Sequence, residues 1–236
     1  FRSLLHQKIL DSEIYDKKLK MFKTSESLEN ETIEIGRIRA FTPGWLERES
    51  VFLHMTYKYL LGLLKAELYD EFFEALKTNL IPFINPSRYG RSTLENSSFL
   101  ASSAHPDEKI HGQGFMPRLS GSSAEFLSMW VTMFYGKNGF IVEDDKLVFE
   151  FAPILPGWLF DEKGEIKFKL LGHTNVTYIN PTKKNTYDES LVIERIEYEW
   201  HDERYIKYAS RLSGEDAYRL RRGELNNIRV YFGKNN

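Results

Sequence analysis

Hydrophobic positions recur at two different periods along the chain, and the change falls near residue 136. Over 1–22, Phe1, Leu5, Ile9, Tyr15, Leu19 and Phe22 return at helical spacing between Lys and Asp, which predicts a helix. Residues 23–35 are polar and acidic and read as an exposed connection. From Glu49, the stripe Val51/Phe52, Met55, Tyr59 and Leu63 predicts a second helix, and Phe72, Phe73 and Leu76 predict a third over 69–79. Pro82 and Pro86 then break the pattern. Residues 84–118, rich in Ser, Asn, Gly and Pro, read as a long polar connection, a length that compact domains keep mostly for function. A helix is predicted over 122–135, with Ala124, Leu127, Val131 and Phe134 on one face.

After Gly136 the period becomes two. Leu147, Phe149 and Phe151 alternate with other residues in "KLVFEFAPILP". The segments "EIKFKLLG", "NVTYINP", "SLVIERIEYEWHDE" and "NNIRVYFG" follow in the same style, and turns such as "DEKGE" predict hairpins. The acidic cluster "WHDE" at 200–203 is expected to face solvent. The chain is therefore expected to be mixed α and β with the two classes segregated: helices over 1–136, then an antiparallel β unit packed as a sandwich over 137–236.

Composition narrows the function classes. The 236 residues are 42% hydrophobic and 28% charged with a net charge of −2, so no global field favours nucleic acid or an anionic membrane. No apolar run approaches the ~20 residues that span a bilayer, and the first twenty residues are charged throughout, unlike a signal peptide. Cysteine is absent, which removes disulfides and thiolate metal sites and fits a reducing, cytoplasmic setting. There is no HExxH spacing, P-loop or dinucleotide fingerprint, so neither a metal nor an organic cofactor is expected. Aromatic residues reach 14%, which serves either a densely packed core or stacking platforms for sugars or bases.

Three stretches could carry chemistry. In "HGQGFMPRLSGSSAEFLSMW" (111–130), Ser122 followed by Glu125 fits a capping box and puts the helix start at Ser122. Unpaired N–H groups and the positive end of the dipole then point out at Ser120–Ser123, Gly121 admits close approach to the backbone, and Arg118 adds a guanidinium fork. These residues describe an anion site, although capped helices are common and most bind nothing. In "FTPGWLERESVFLH" (41–54), Pro43-Gly44 forms a turn, Glu47 and Glu49 precede a helix, and His54 lies inside it. His54 is then a donor to phosphate or a sugar hydroxyl, or a hydrogen-bonded core histidine. In "NPSRYGRSTLENSSFLASSAHPD", Arg88 and Arg91 flank a Tyr-Gly turn, and Glu95 and Asn96 lead a run of hydrogen-bonding groups. That mixture suits sugar hydroxyls, or a loop that satisfies its own backbone.

At these stretches the sequence resembles the C-terminal part of inverting glycoside phosphorylases of the cellobiose phosphorylase family. The family motif P-G-x-x-E-x-x-x-x-F-x-H is matched by Pro43-Gly44-Trp45-Leu46-Glu47 through Phe52 to His54. Its L-T-G-T-A-type phosphate loop is matched by Leu119-Ser120-Gly121-Ser122-Ser123. Two strand segments follow in order: "LVFEFAPILP" is similar to the family's "LQIAPVIP", and "NVTYINP" to its "GVTYxI". Order and spacing agree over roughly residues 36–182.

The resemblance implies the last helices of an (α/α)6 barrel over 1–136 and a C-terminal β-sandwich over 137–236. It implies phosphorolysis of a β-linked gluco-oligosaccharide to α-glucose 1-phosphate, with inorganic phosphate as co-substrate and no other cofactor. His54, Arg118, Ser120 and Gly121 are then expected to hold phosphate, and Glu47, Arg91, Glu95 and Asn96 to meet the sugar. The long loop around Arg88–Asp107 is similar to that of phosphorylases acting on β-linked oligoglucans, 1,2-linked among them. Two departures stand out. Serine replaces the threonine of the phosphate loop, keeping the hydroxyl, and the family's general acid, an aspartate in a D-W-N-D-like segment upstream of the histidine motif, has no counterpart here. The expectation is a C-terminal segment, inactive without the polypeptide N-terminal to it. Family members are often dimers, so a homodimer is implied. A glycoside hydrolase on the same barrel, with Glu47 or Glu95 as base, and a noncatalytic carbohydrate-binding module are the alternatives.

Overall fold

A buried aspartate cuts the first predicted helix short. In the computed structural model, which describes residues 1–117 and 121–234, helix α1 spans Arg2–Asp11 and gives way to a hairpin of β1 (Tyr15–Asp16) and β2 (Met21–Phe22). The Asp16 carboxylate accepts the backbone N–H groups of Lys18 (3.1 Å), Leu19 (3.0 Å) and Ser103 (2.7 Å) and the Ser103 hydroxyl (2.8 Å). An acceptor filled from its own turn and from a distant loop favours a turn over continued helix. Leu19, Met21 and Phe22 keep their apolar role but bury it from a hairpin.

Strand pairing also displaces the second helix. Val51–Phe52 forms β3, and α2 runs over Leu53–Lys65. Its buried face is Leu53, Thr56, Tyr57, Leu60, Leu61, Leu63 and Leu64, while Met55 of the predicted stripe is exposed. The leucine run permits more than one register, and β3 chooses. Helix α3 covers Tyr69–Asn79, where periodicity put it, and buries Phe72, Phe73 and Leu76.

The stretch 84–118 is not a bare connection. Asn85 Oδ1 accepts the Ser87 N–H at 2.9 Å, and with Pro86 in the first turn it starts the short helix α4 (Pro86–Tyr89). Strands β4 (Ser97–Leu100) and β5 (Gly114–Pro117) follow, and with β3 they form an antiparallel sheet in the order β3-β4-β5. Phe99 is opposite Phe52 on one side and Phe115 on the other. Helix α5 spans Gly121–Tyr135. It buries Met129, Met133 and Phe134, whereas Leu127 and Val131 of the predicted face are exposed. Apolar residues lie all round this helix, so its period could not select a side.

The chain divides into two compact units, Phe1–Met129 and Trp130–Asn236, and the division falls within α5 rather than at 136/137. In the second unit, β6 (Phe140–Glu143), β7 (Lys146–Glu150) and β12 (Arg211–Ser213) form an antiparallel sheet in the order β12-β7-β6. A five-stranded sheet is built from β8 (Glu165–Leu170), β9 (Thr174–Ile179), β10 (Leu191–Trp200), β11 (Glu203–Lys207) and β13 (Asn227–Lys234), in the order β11-β10-β13-β9-β8. Ring contacts join the two sheets through Phe149–Phe151 (4.8 Å), Phe151–Tyr178 (6.2 Å) and Tyr178–Phe232 (5.7 Å).

One pair departs from the antiparallel expectation: β13 runs parallel to β9. A parallel pair needs a crossover rather than a hairpin, and residues 180–226, which contain helix α6 (Glu215–Arg222), supply it. A period of two carries no strand direction. The "DEKGE" turn leads into β8 instead of joining two paired strands. His201 and Asp202, both exposed and both at positive φ, close the β10–β11 hairpin. The chain is thus mixed α and β, and among the described residues no helix is long and apolar enough to cross a membrane.

Candidate functional site

The β3-β4-β5 sheet gathers three of the sequence stretches at one end. Strand β3 leaves that end into α2, carrying His54 into its first turn. Strand β4 enters there, directly after Glu95 and Asn96. Strand β5 leaves there towards α5, which begins at Gly121. The register of Phe52 with Phe99 and of Ser97 with Pro117 fixes this convergence.

His54 and Gly121 touch. A Cβ on residue 121 would overlap the imidazole, with Cε1, Nε2 and Nδ1 of His54 its nearest atoms, so only glycine lets the ring lie on the α5 backbone. Glu125, four residues on and therefore on the same face of α5, stands with Oε1 3.7 Å from His54 Nε2. Ser122 is buried in the first turn, and the helix starts at Gly121 rather than at Ser122. Glu125, expected in a capping box with Ser122, stands beside His54 instead. The i, i+4 relation to Gly121 was the signal that it faces the same partner.

Neither α2 nor α5 has an acidic residue in its first turn, and the α2 N-cap, Phe52, offers no side-chain acceptor. Two helix starts meet at this imidazole and offer backbone donors, and the Glu125 carboxylate stands beside them. Arg118 and Ser120, the other expected phosphate ligands, lie outside the described residues.

The expected sugar-binding residues are placed differently. Arg91 Nε donates to Glu95 Oε2 at 3.1 Å in an i, i+4 pair at the surface. Asn96 Oδ1 accepts the hydroxyl of Tyr57 at 3.1 Å, which ties it to α2 one turn beyond His54. Tyr57 is fully buried and its OH also accepts the Ile81 N–H at 3.1 Å; burial drives its pKa well above the ordinary phenol value.

Tyr89 holds the Glu95–Ser97 segment from below. Its hydroxyl donates to Glu95 O at 2.7 Å, accepts the Ser97 N–H at 3.0 Å and lies 2.6 Å from Ser97 Oγ. Its ring needs Gly114 in β5, because a Cβ there would overlap it. Composition gave no hint of this brace. Tyr89→Phe should cost about 1–3 kcal/mol by orphaning the buried Ser97 N–H. Urea unfolding measures it, and a loss under ~0.5 kcal/mol would remove the brace.

Glu47 sits apart from these groups, on the loop before β3. Leu46 and Glu49 there take positive φ (49° and 56°), a conformation that costs energy for non-glycine residues. The loop is held by Ser50 Oγ donating to Leu46 O, by Ser102 Oγ donating to Glu49 O at 2.5 Å and by Trp45 packed on Phe99 and Phe115 (5.0 and 4.4 Å). Glu47 Oε1 accepts from Arg37 Nη2 at 2.8 Å. Its Oε2 is buried with no hydrogen-bond partner among the described residues, an acceptor available to a ligand hydroxyl. No hydrogen bond or ion pair among the described residues joins Glu47, Arg91 or Glu95 to His54. Among the described residues, no group of His, Asp and Glu is disposed to hold a metal ion.

No family model matches this chain, and neither does any curated protein.

Proposed function

We propose that this chain supplies the phosphate-handling part of an inverting glycoside phosphorylase acting on a β-linked gluco-oligosaccharide. One observation carries the reading: the His54 ring lies against Gly121 where the starts of α2 and α5 meet. On this reading the helices over 1–136 close an (α/α)6 barrel and the sheets beyond them form the β-sandwich. Phosphate is the nucleophile. One of its oxygens forms a bond to the anomeric carbon as the glycosidic C–O bond breaks, and a carboxylic acid protonates the departing oxygen. Attack from the opposite face gives α-glucose 1-phosphate and a shortened sugar.

No base is needed to activate water, so the protein's task is to neutralise and aim a dianion. His54 and the helix starts are suited to that. The Oε2 atom of Glu47 offers an acceptor for a sugar hydroxyl. The acid is assigned to polypeptide outside these 236 residues.

The full-length enzyme should release glucose 1-phosphate from β-gluco-oligosaccharides only when phosphate is present. Reducing sugar released without phosphate would instead select the hydrolase reading, with Glu47 or Glu95 as base. His54→Ala should weaken phosphate use by about 1.5–3 kcal/mol, roughly ten- to 150-fold in KM for phosphate, and leave sugar affinity nearly intact. An unchanged KM for phosphate would take His54 out of the site.

A further inference from the structure

The outer face of the five-stranded sheet holds a polar groove of about 260 Å³, lined by residues of β9, β10, β11 and β13. Register puts Glu197, Arg229 and Thr177 in one row across the sheet and pairs Asn227 with Asn175 in the next, with Glu199 one position beyond the Tyr198–Ile228 pair. Glu197 is almost fully buried, and its carboxylate is saturated: Arg195 Nε donates to Oε1 at 2.8 Å, and Arg204 Nη2 and the Tyr231 hydroxyl donate to Oε2 at 2.6 and 3.1 Å. The cross-strand partner that Arg229 would otherwise take is therefore occupied.

Arg229 and Glu199, both exposed, make no ion pair or hydrogen bond among the described residues, and neither does the Thr177 hydroxyl. Asn175 Nδ2 donates to Asn227 Oδ1 at 3.3 Å, leaving one acceptor and one donor group of that pair uncommitted. Opposite charges on neighbouring strands can pair with each other. Here a guanidinium, a carboxylate and a hydroxyl with their bonding capacity unspent line one depression with a half-committed amide pair.

We propose that this groove binds a neutral oligosaccharide. Each sugar hydroxyl donates and accepts at once, so it uses guanidinium donors and carboxylate acceptors side by side. An anion would meet Glu199, and a cation would meet Arg229. The volume is slightly below the ~300 Å³ lower bound of ordinary small-molecule sites, enough for part of a sugar chain lying across the strands. The floor is a paired sheet, which holds the groups in place before a ligand arrives. None of this depends on the phosphorylase reading.

The test is amide-resolved NMR of the whole chain, titrated without phosphate with cellotriose and, separately, with maltotriose. Either sugar should shift residues 175–177, 197–199 and 227–229, with roughly millimolar affinity. The Glu199→Gln/Arg229→Ala double variant should bind at least tenfold more weakly with an unchanged Tm. Thr177→Val, which keeps the strand's branched shape, should also weaken binding. No shift with either sugar, or shifts confined to residues 1–129, would overturn the proposal. So would undiminished binding by the double variant, or inorganic phosphate moving these amides when the sugars do not.

Discussion

Gly121→Ala is expected to destabilise the chain by about 1–2 kcal/mol, although alanine is the better helix former. The propensity gain is at most about 1 kcal/mol. Against it stands the overlap of the new methyl with the His54 ring, and forcing atoms into an occupied site costs about 1–3 kcal/mol. Sterics win because the methyl meets a whole ring rather than the tip of a flexible chain. The contact predicts non-additivity. In a His54→Ala background the ring is gone, and the same glycine substitution should become neutral or stabilising. Urea unfolding of the four proteins closes the cycle. If the two substitutions simply add, the imidazole does not lie on the α5 backbone. If the proposed phosphorylase reading holds, Gly121→Ala should also raise the KM for phosphate as much as His54→Ala does, since both remove the same placement of the ring.

The second large effect is expected at Glu197, in the other unit. Burial alone would raise its pKa, but hydrogen bonds from Arg195, Arg204 and Tyr231 outweigh it and hold the carboxylate below its ordinary range. A depressed folded pKa stabilises the protein fully above the unfolded value of about 4.3, and this contribution is lost as pH falls through the folded value. Glu197→Gln keeps the shape and removes the charge. It should cost about 2–3 kcal/mol at pH 7, in the range of charged hydrogen bonds. The about 3–5 kcal/mol of a fully buried broken pair is too much, because the Arg204 side chain is 61% exposed and stays hydrated. The Tm gap between wild type and variant should be wide at neutral pH and close below about pH 4. A gap that does not change with pH would mean the carboxylate's charge is not what stabilises this sheet.

Helix and strand segments were legible in the sequence where one period dominated. Residues 69–79 alternate apolar and charged faces cleanly, and α3 occupies that span. The errors share one physical source. A period reports which residues want burial, but not which partner buries them. Asp16 turned the chain because Ser103 completes its hydrogen bonds, and nothing within eighty residues of Asp16 announces that. Val51 and Phe52 joined a strand because β4 was there to pair with them. For the candidate site, the glycine and the histidine were each visible as residue types with suitable neighbours. Their contact, and the place of Glu125 beside them, belongs to the three-stranded sheet, two of whose strands lie in a stretch that looked like loop.

That the five-stranded sheet receives its middle strand last has a consequence for synthesis. Hairpins β8–β9 and β10–β11 share no ladder with each other; each pairs only with β13, which is made after both. Until residue 234 has left the ribosome, the five-stranded sheet is a pair of separate hairpins with open edges. The sheet closes in one late step, like a zip drawn from its centre, and the nascent chain must be shielded from edge-to-edge pairing until then.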